Sequence, residues 1–318
     1  MLTARLFAAL FSSALLNLSL TTCRSPGEAD NTPEPDKEAS SRVELPGVET
    51  KDLSPREHSR WSSHVQQLLA PCEDTPVSVA ACVQEKRPCA ACLPAAEFLV
   101  SQVRLGKTQA QVEISYKERF SPDFVKEIEL DGSPSKGSPS ASITIVEWAD
   151  FQCPMCQRAS PILSEVVKEN PDVRLVFKNF PLPMHEYAED AARAAMAADL
   201  QGKFWEMHTA LFSSQMPLSE ATIEGFAEQL GLDLTQFSKD LKSEKVADSV
   251  ARDRKQGDAV KLQGTPTVYV NGRLFNYSSD LKSELLQWIA LERKLLGSSA
   301  QTAPAKKSQV APSEQTQP

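Results

Sequence analysis

Histidine is scarce in this chain, with 4 among 318 residues, and that argues against a metal centre built from imidazoles. Runs of lysine or arginine are missing as well. Lys and Arg total 34 against 42 Asp and Glu, a net charge of −8, so no clustered cationic surface offers itself to a phosphate backbone. Nucleic acid is therefore not an expected partner. Beyond Leu20 no apolar stretch is long enough to cross a bilayer. What is present is ordinary for a soluble globular protein: 41% hydrophobic and 24% charged residues, with length for one large domain plus a smaller one, or for two of ordinary size.

The first residues read as a targeting segment. Arg5 and the amino terminus form a short positive region, and residues 6–20 form an apolar run too short to span a membrane comfortably. The run ends in Leu20-Thr-Thr-Cys23, which resembles the lipobox of bacterial lipoproteins, with an aliphatic residue three positions before a cysteine. Thr22 is larger than the residue such signals usually place there. The expectation is export to the periplasm or cell envelope, with Cys23 lipidated and the membrane as a partner through that anchor. In such a compartment Cys72, Cys82, Cys89 and Cys92 can persist as disulfides.

Residues 24–54 are rich in Pro, Glu, Asp and Ser and poor in large apolar side chains, so a disordered tether is expected after the 1–23 leader. Residues 297–318 read as a disordered tail on the same grounds. Between them lie a small Cys-rich helical block (55–124) and a larger block (125–296). In the first, Val65, Leu68 and Leu69 share one helical face, and Phe98, Leu99, Val103 and Leu105 share another. Gly106 reads as a helix stop and Thr108 as the next N-cap, before Val112, Ile114 and Tyr116. In the second, Ile128-Glu-Leu130 reads as a short strand, residues 131–139 as a turn-rich connector, and Ile143-Thr-Ile-Val-Glu-Trp148 as a buried strand.

Directly after that strand comes Asp150-Phe-Gln-Cys-Pro-Met-Cys156, then a helical pattern through Ile162, Leu163, Val166 and Val167, then a strand at Val173-Arg-Leu-Val-Phe177. Strand, Cys-x-x-Cys and helix in that order suit a dithiol site. A cysteine at a helix N-terminus faces unpaired N–H groups and the positive end of the dipole, which favour thiolate. Pro154 suits the first turn, and the two-residue spacing lets Cys156 resolve a mixed disulfide on Cys153. Zinc half-site and structural disulfide are the plainer readings of the pair.

The stretch 143–288 resembles the DsbA-like branch of the thioredoxin superfamily. Glu147 stands six residues before Cys153, where the superfamily places a buried acid that assists proton transfer. Pro161 stands where these proteins kink the active-site helix. Gly264-Thr-Pro-Thr-Val-Tyr-Val-Asn-Gly272 resembles the loop in which a cis-proline faces the cysteines. The resemblance implies a cis Pro266, with Thr265 shaping the thiol environment. It also implies a helical subdomain inserted over 186–200, 204–212, 220–230 and 234–250. Val268-Tyr-Val, a hairpin turn at Asn271-Gly272 and a closing helix over 281–296 complete the pattern.

The implied fold is α/β, a thioredoxin fold with an inserted helical subdomain, preceded by a small all-α Cys-rich domain. The implied activity is thiol–disulfide exchange on exported proteins, with no metal or organic cofactor and with a redox partner that resets the dithiol. One departure is Met155, where DsbA carries a histidine that stabilises thiolate, so the redox direction stays open. A peptide-binding or chaperone module without turnover, or a metal-binding cysteine protein, are the alternatives. The histidines His58, His64, His185 and His208 read as surface or incidental residues, and Trp148 and Trp205 as packing residues.

Three readings of Cys72, Cys82, Cys89 and Cys92 stand side by side. They are two structural disulfides, a redox-active Cys89-Ala-Ala-Cys92 that relays electrons to Cys153 and Cys156, or a four-thiolate zinc site. The relay draws on a faint resemblance of residues 89–120 to the helical hairpin of CcmH-like cytochrome c maturation proteins, through Gly106-Lys-Thr and Glu118-Arg-Phe120.

Overall fold

A computed structural model describes residues 42–72, 76–277 and 280–302. The leader with Cys23, residues 24–41 of the expected tether and residues 303–318 of the expected tail lie outside the described residues. The last part of the expected tether is folded. Val43, Leu45, Val48 and Leu53 are buried among the helices that follow. Full burial of such side chains is worth roughly 1.5–3 kcal/mol each, enough to hold a polar segment against the surface.

Four helices make the N-terminal part. Helix α1 (Pro55–Gln67) opens with a capping box between Ser54 and Glu57 and a proline in its first turn. Helices α2 (Val79–Gln84), α3 (Cys92–Arg104) and α4 (Gln109–Phe120) follow. Gly106 ends the α3 segment in the left-handed region at φ +69°, and Thr108 caps α4 through a box with Gln111. Trp61, Val65, Leu99, Val103 and Val112 form the centre of this core. Three expected core residues are exposed instead. Leu69 lies past the end of α1 and pairs with Ser78 through its backbone, Leu105 caps α3, and Ile114 sits on the outer face of α4.

A five-stranded sheet has the order β1 (Ser135–Lys136), β3 (Val173–Asn179), β2 (Ile143–Ala149), β4 (Thr267–Val270), β5 (Arg273–Phe275). Strands β2 and β3 are parallel and the other neighbours antiparallel. The central β2 is buried at six of its seven positions, which explains its continuous apolar run. Ile128-Glu-Leu130 does not form the expected strand. Ile128 and Leu130 pack against Val146, Trp148 and Tyr269 without a ladder, and the edge strand forms later, at β1. Asn271 and Gly272 turn β4 into β5 with φ of +47° and +76°. A Cβ on Gly272 would lie 2.5 Å from the Lys126 carbonyl oxygen, so this position has no room for a side chain.

Helix α5 (Pro154–Glu169) contains Pro161 and packs with α11 (Leu281–Thr302) against the sheet through Leu163, Val166, Leu285 and Ile289. Between β3 and β4 lie α6 (Ala188–Asp199), α7 (Phe204–Ser213), α8 (Glu220–Gln229), α9 (Leu234–Leu241) and α10 (Glu244–Ala259). The single helix expected over 234–250 is two. Ser243 accepts a hydrogen bond from the Val246 N–H at 3.3 Å and starts α10 afresh, as a serine N-cap does. The closing helix runs past Leu296 to Thr302, into the expected tail.

Two buried ion pairs tie these parts together. Arg119 at the end of α4 lies 2.8 Å from Glu292 of α11 and stacks over Trp288 at 4.5 Å, docking the N-terminal helices on the sheet layer. Lys178 on β3 is fully buried and 3.3 Å from Asp253 of α10, and burial pulls its ammonium below the usual lysine range, with Asp253 opposing the shift. Asp253 also accepts hydrogen bonds from the Asn179 backbone and side-chain amides. Asp253→Ala is expected to destabilise the fold by about 3–5 kcal/mol in urea unfolding, because it leaves Lys178 unpaired in the core. A loss near zero would show that water reaches Lys178.

Candidate active site

The site forms where β2 ends and α5 begins. Asp150 is buried and folds the connection around itself. Its carboxylate accepts from the Gln152 N–H at 2.6 Å and the Leu182 N–H at 2.8 Å, and contacts His185 Nδ1 at 2.7 Å, while its carbonyl accepts from the Cys153 N–H at 3.0 Å. Gln152 in turn accepts from the Tyr187 N–H at 2.6 Å, fastening the loop before α6 to the same turn. Cys153 is thereby set at the N-cap of α5, with Pro154 in the first turn and Cys156 within it.

Cys153 and Cys156 are both buried, unbonded thiols. The Cys153 thiol donates to the Thr265 carbonyl oxygen at 3.2 Å, so residues 112 positions apart meet here. The Thr265–Pro266 peptide bond is cis. Burial pushes the Cys156 thiol far above the usual range, with hydrogen bonding from the Asp150 backbone opposing and the Glu147 charge reinforcing. Glu147 lies on β2, fully buried, and neither carboxyl oxygen has a hydrogen-bond partner. Burial pushes its pKa up to about 8. Glu147 is thus protonated through most of the neutral range, next to a thiol that resists ionisation. That arrangement can pass a proton between the two groups as the sulfur chemistry proceeds.

The floor of the site is aromatic. Phe151, Phe177, Phe204 and Phe212 surround His208, which is buried without a hydrogen-bond partner and pushed down to about 3 by burial, with the Lys136 charge adding to the shift. Its imidazole is neutral at ordinary pH. Of the histidines read as surface or incidental residues, His58, His64 and His208 are buried, His208 on the helix expected over 204–212, and His185 is the partner of Asp150. Trp148 packs against Tyr269 and donates to the Asp253 carbonyl, and Trp205 lies under Lys136 and beside His208. Met155 faces solvent, with Arg158 3.0 Å from its sulfur.

Sequence reasoning missed three residues here. Asp150 and His185 meet only through the fold, and Tyr277, after β5, is a half-buried phenol raised first by burial and then by the Cys156, Glu147 and Cys153 charges. Asp150 carried one signal, a position just before the Cys-x-x-Cys turn where an Asx bond is common. Of the N-terminal cysteines, Cys72 is bonded to Cys89 and Cys82 to Cys92.

The sheet order, the helical insertion after β3, the Cys-x-x-Cys at the helix N-terminus and the facing cis-proline define a thioredoxin fold. Residues 129–289, just over half of the chain, match the Thioredoxin_4 (thioredoxin) family, and the chain belongs to it. Among curated proteins it is similar to Na(+)/H(+) antiporter NhaA 1 of Salinispora arenicola (strain CNS-205), 38% identical over 162 residues, covering 51% of this chain and 25% of that protein. It is also similar to Na(+)/H(+) antiporter NhaA of Herminiimonas arsenicoxydans, 33% identical over 187 residues, covering 58% of this chain and 28% of that protein. The chain spans about a quarter of the length of these relatives. Among the described residues no helix is long and apolar enough to cross a membrane. A solved thioredoxin-like oxidoreductase from Silicibacter pomeroyi DSS-3 is 31% identical, covering 52% of this chain and 94% of that one, with a TM-score of 0.48.

Proposed function

We propose that this chain is a protein thiol–disulfide oxidoreductase whose working pair is Cys153 and Cys156. The observation that carries the reading is the Cys153 thiol, at the N-terminus of α5, 3.2 Å from the Thr265 carbonyl beside the cis Pro266, with Glu147 buried behind it. In the reductive direction the Cys153 thiolate attacks a substrate disulfide. One substrate S–S bond breaks, a Cys153–substrate disulfide forms, and the departing substrate sulfur takes a proton. Cys156 gives its proton to the Glu147 carboxylate and attacks the Cys153 sulfur. The substrate leaves as a dithiol and the enzyme holds the Cys153–Cys156 disulfide. The same steps in reverse oxidise a dithiol, and a redox partner resets the pair after each turnover.

The substrates in this reading are exported proteins with thiols or disulfides. The apolar run over residues 6–20 and Leu20-Thr-Thr-Cys23 support export with a lipid anchor on Cys23, in the periplasm or cell envelope. The helices of residues 55–124, with the apolar side chains of 43–53 in their core, act in this reading as an accessory domain, which the Arg119–Glu292 ion pair holds to the sheet layer. The purified chain is expected to catalyse dithiol-driven reduction of insulin or oxidation of a reduced dithiol peptide. No catalysis in either direction, with client peptide still bound, would replace the enzyme by a binding module.

A further inference from the structure

The four N-terminal cysteines lie in one cluster. The sulfurs of Cys72, Cys82, Cys89 and Cys92 are all within 4.8 Å of one another, and Cys72 Sγ lies 3.4 Å from Cys82 Sγ, which belongs to the other disulfide. Two separate structural crosslinks have no need to converge in this way. We propose that this cluster is a redox-switched zinc site, holding two disulfides when oxidised and one zinc ion on four thiolates when reduced.

Geometry supports it first. A tetrahedral zinc with Zn–S bonds of about 2.3 Å sets its four sulfurs roughly 3.8 Å apart. The sulfurs already occupy a volume of that size, carried by Cα atoms 6.0 and 5.5 Å apart within the two pairs. Side-chain rotation is enough to open each pair to that spacing. Cys89 and Cys92 supply a Cys-x-x-Cys at the start of α3, Cys82 comes from α2, and Cys72 from the segment after α1.

Electrostatics supports it second. A zinc tetrathiolate carries a net charge of −2, which needs nearby positive potential. Cys92 is the first residue of the thirteen-residue α3, at the positive end of its dipole, and Lys86 and Arg87, the latter paired with Glu85 at 2.8 Å, line the cleft beside Cys82, Cys89 and Cys92. Cys82 and Cys92 are buried, whereas Cys72 and Cys89 are only partly buried, so these two sulfurs are the ones a reductant or a metal ion can reach first. Four protein ligands leave no open position, which makes the site structural or sensory and not a second catalytic centre.

The chemistry balances with dithiols as reductant. Each disulfide takes two electrons and two protons from one dithiol, which leaves as its own disulfide. Zinc then displaces four thiol protons. Reoxidation of the four thiolates by a disulfide oxidant releases the ion. The site does not depend on the activity assigned to Cys153 and Cys156.

The test uses the full chain, reduced anaerobically with a phosphine, loaded with zinc chloride, desalted, and assayed for metal and free thiol. One zinc per chain is expected in the wild type and in a Cys153→Ser/Cys156→Ser variant, and near none in Cys89→Ser/Cys92→Ser. Because that last variant can misfold, zinc-loaded Cys153→Ser/Cys156→Ser protein is also titrated with a disulfide oxidant, and one zinc should leave for every four thiols lost among Cys72, Cys82, Cys89 and Cys92. Reduced wild type that retains no zinc would overturn the proposal. So would zinc that disappears with Cys153 and Cys156, or release out of step with thiol loss.

Discussion

Cys153→Ser is expected to abolish insulin reduction and dithiol oxidation alike, a loss of at least about 1,000-fold of the kind seen when a nucleophile is removed. Cys156→Ser should also lose turnover, but for a different reason. Cys153 sits at the mouth of α5 with its thiol aimed at Thr265, whereas Cys156 is fully buried beneath it. The first can meet a substrate and the second can meet only Cys153. Serine at 153 therefore prevents the covalent step, and serine at 156 lets it occur and then stalls. Turnover retained in Cys153→Ser, or a mixed disulfide that fails to accumulate in Cys156→Ser, would indicate that Cys153 is not the attacking sulfur. Cys153→Ser, at the mouth of the helix, should change stability little, whereas Cys156→Ser buries a hydroxyl in an apolar cluster and should cost about 1–3 kcal/mol.

Glu147→Gln is expected to change stability and rate in opposite directions. The buried carboxyl has its pKa raised from 4.5 to about 8, so between those values the unfolded chain has released a proton that the folded chain still holds. Stability from this group is then fully present below the unfolded value and is lost as pH rises toward about 8. His208 acts with the opposite sign, because its folded pKa is pushed down to about 3, but only below its ordinary value of 6.5. Glu147 therefore stands out between pH 6.5 and 8. Across that window wild-type stability should fall by on the order of 2 kcal/mol, and the glutamine variant should lose that slope. The exchange rate should rise in wild type as Glu147 ionises and can take the Cys156 proton. Without that acceptor, resolution should slow by on the order of 100-fold. An unchanged pH–rate profile in Glu147→Gln would remove Glu147 from the proton path.

The centre of the site is legible in the sequence because its signals are local. A buried strand, a Cys-x-x-Cys with proline in the first turn and an amphipathic helix are all read within a few residues of Cys153. The Thr265–Pro266 loop lies far downstream, and only the family resemblance connects it to the cysteines. Asp150 with His185, and Lys178 with Asp253, were not legible. Each pair is polar, distant in sequence and meaningful only once β2, β3 and α10 are in place. His208 is hidden in another way, since an aromatic cage can bury a neutral imidazole that sequence reasoning leaves on the surface. Local errors have local causes. Ser243 restarts a helix that apolar periodicity reads through, and Ile128 and Leu130 pack as side chains without a strand partner. The polar composition of residues 42–54 concealed four apolar anchors spaced widely enough to look like tether.

The central claim is that Cys153 is the attacking sulfur, and trapping tests it most directly. Cys156→Ser protein is incubated with a disulfide-bonded peptide, alkylated, digested and examined by mass spectrometry. The expected result is a peptide adduct on Cys153 that a dithiol removes. An adduct absent from Cys153, or found instead on Cys72 or Cys89, would contradict it.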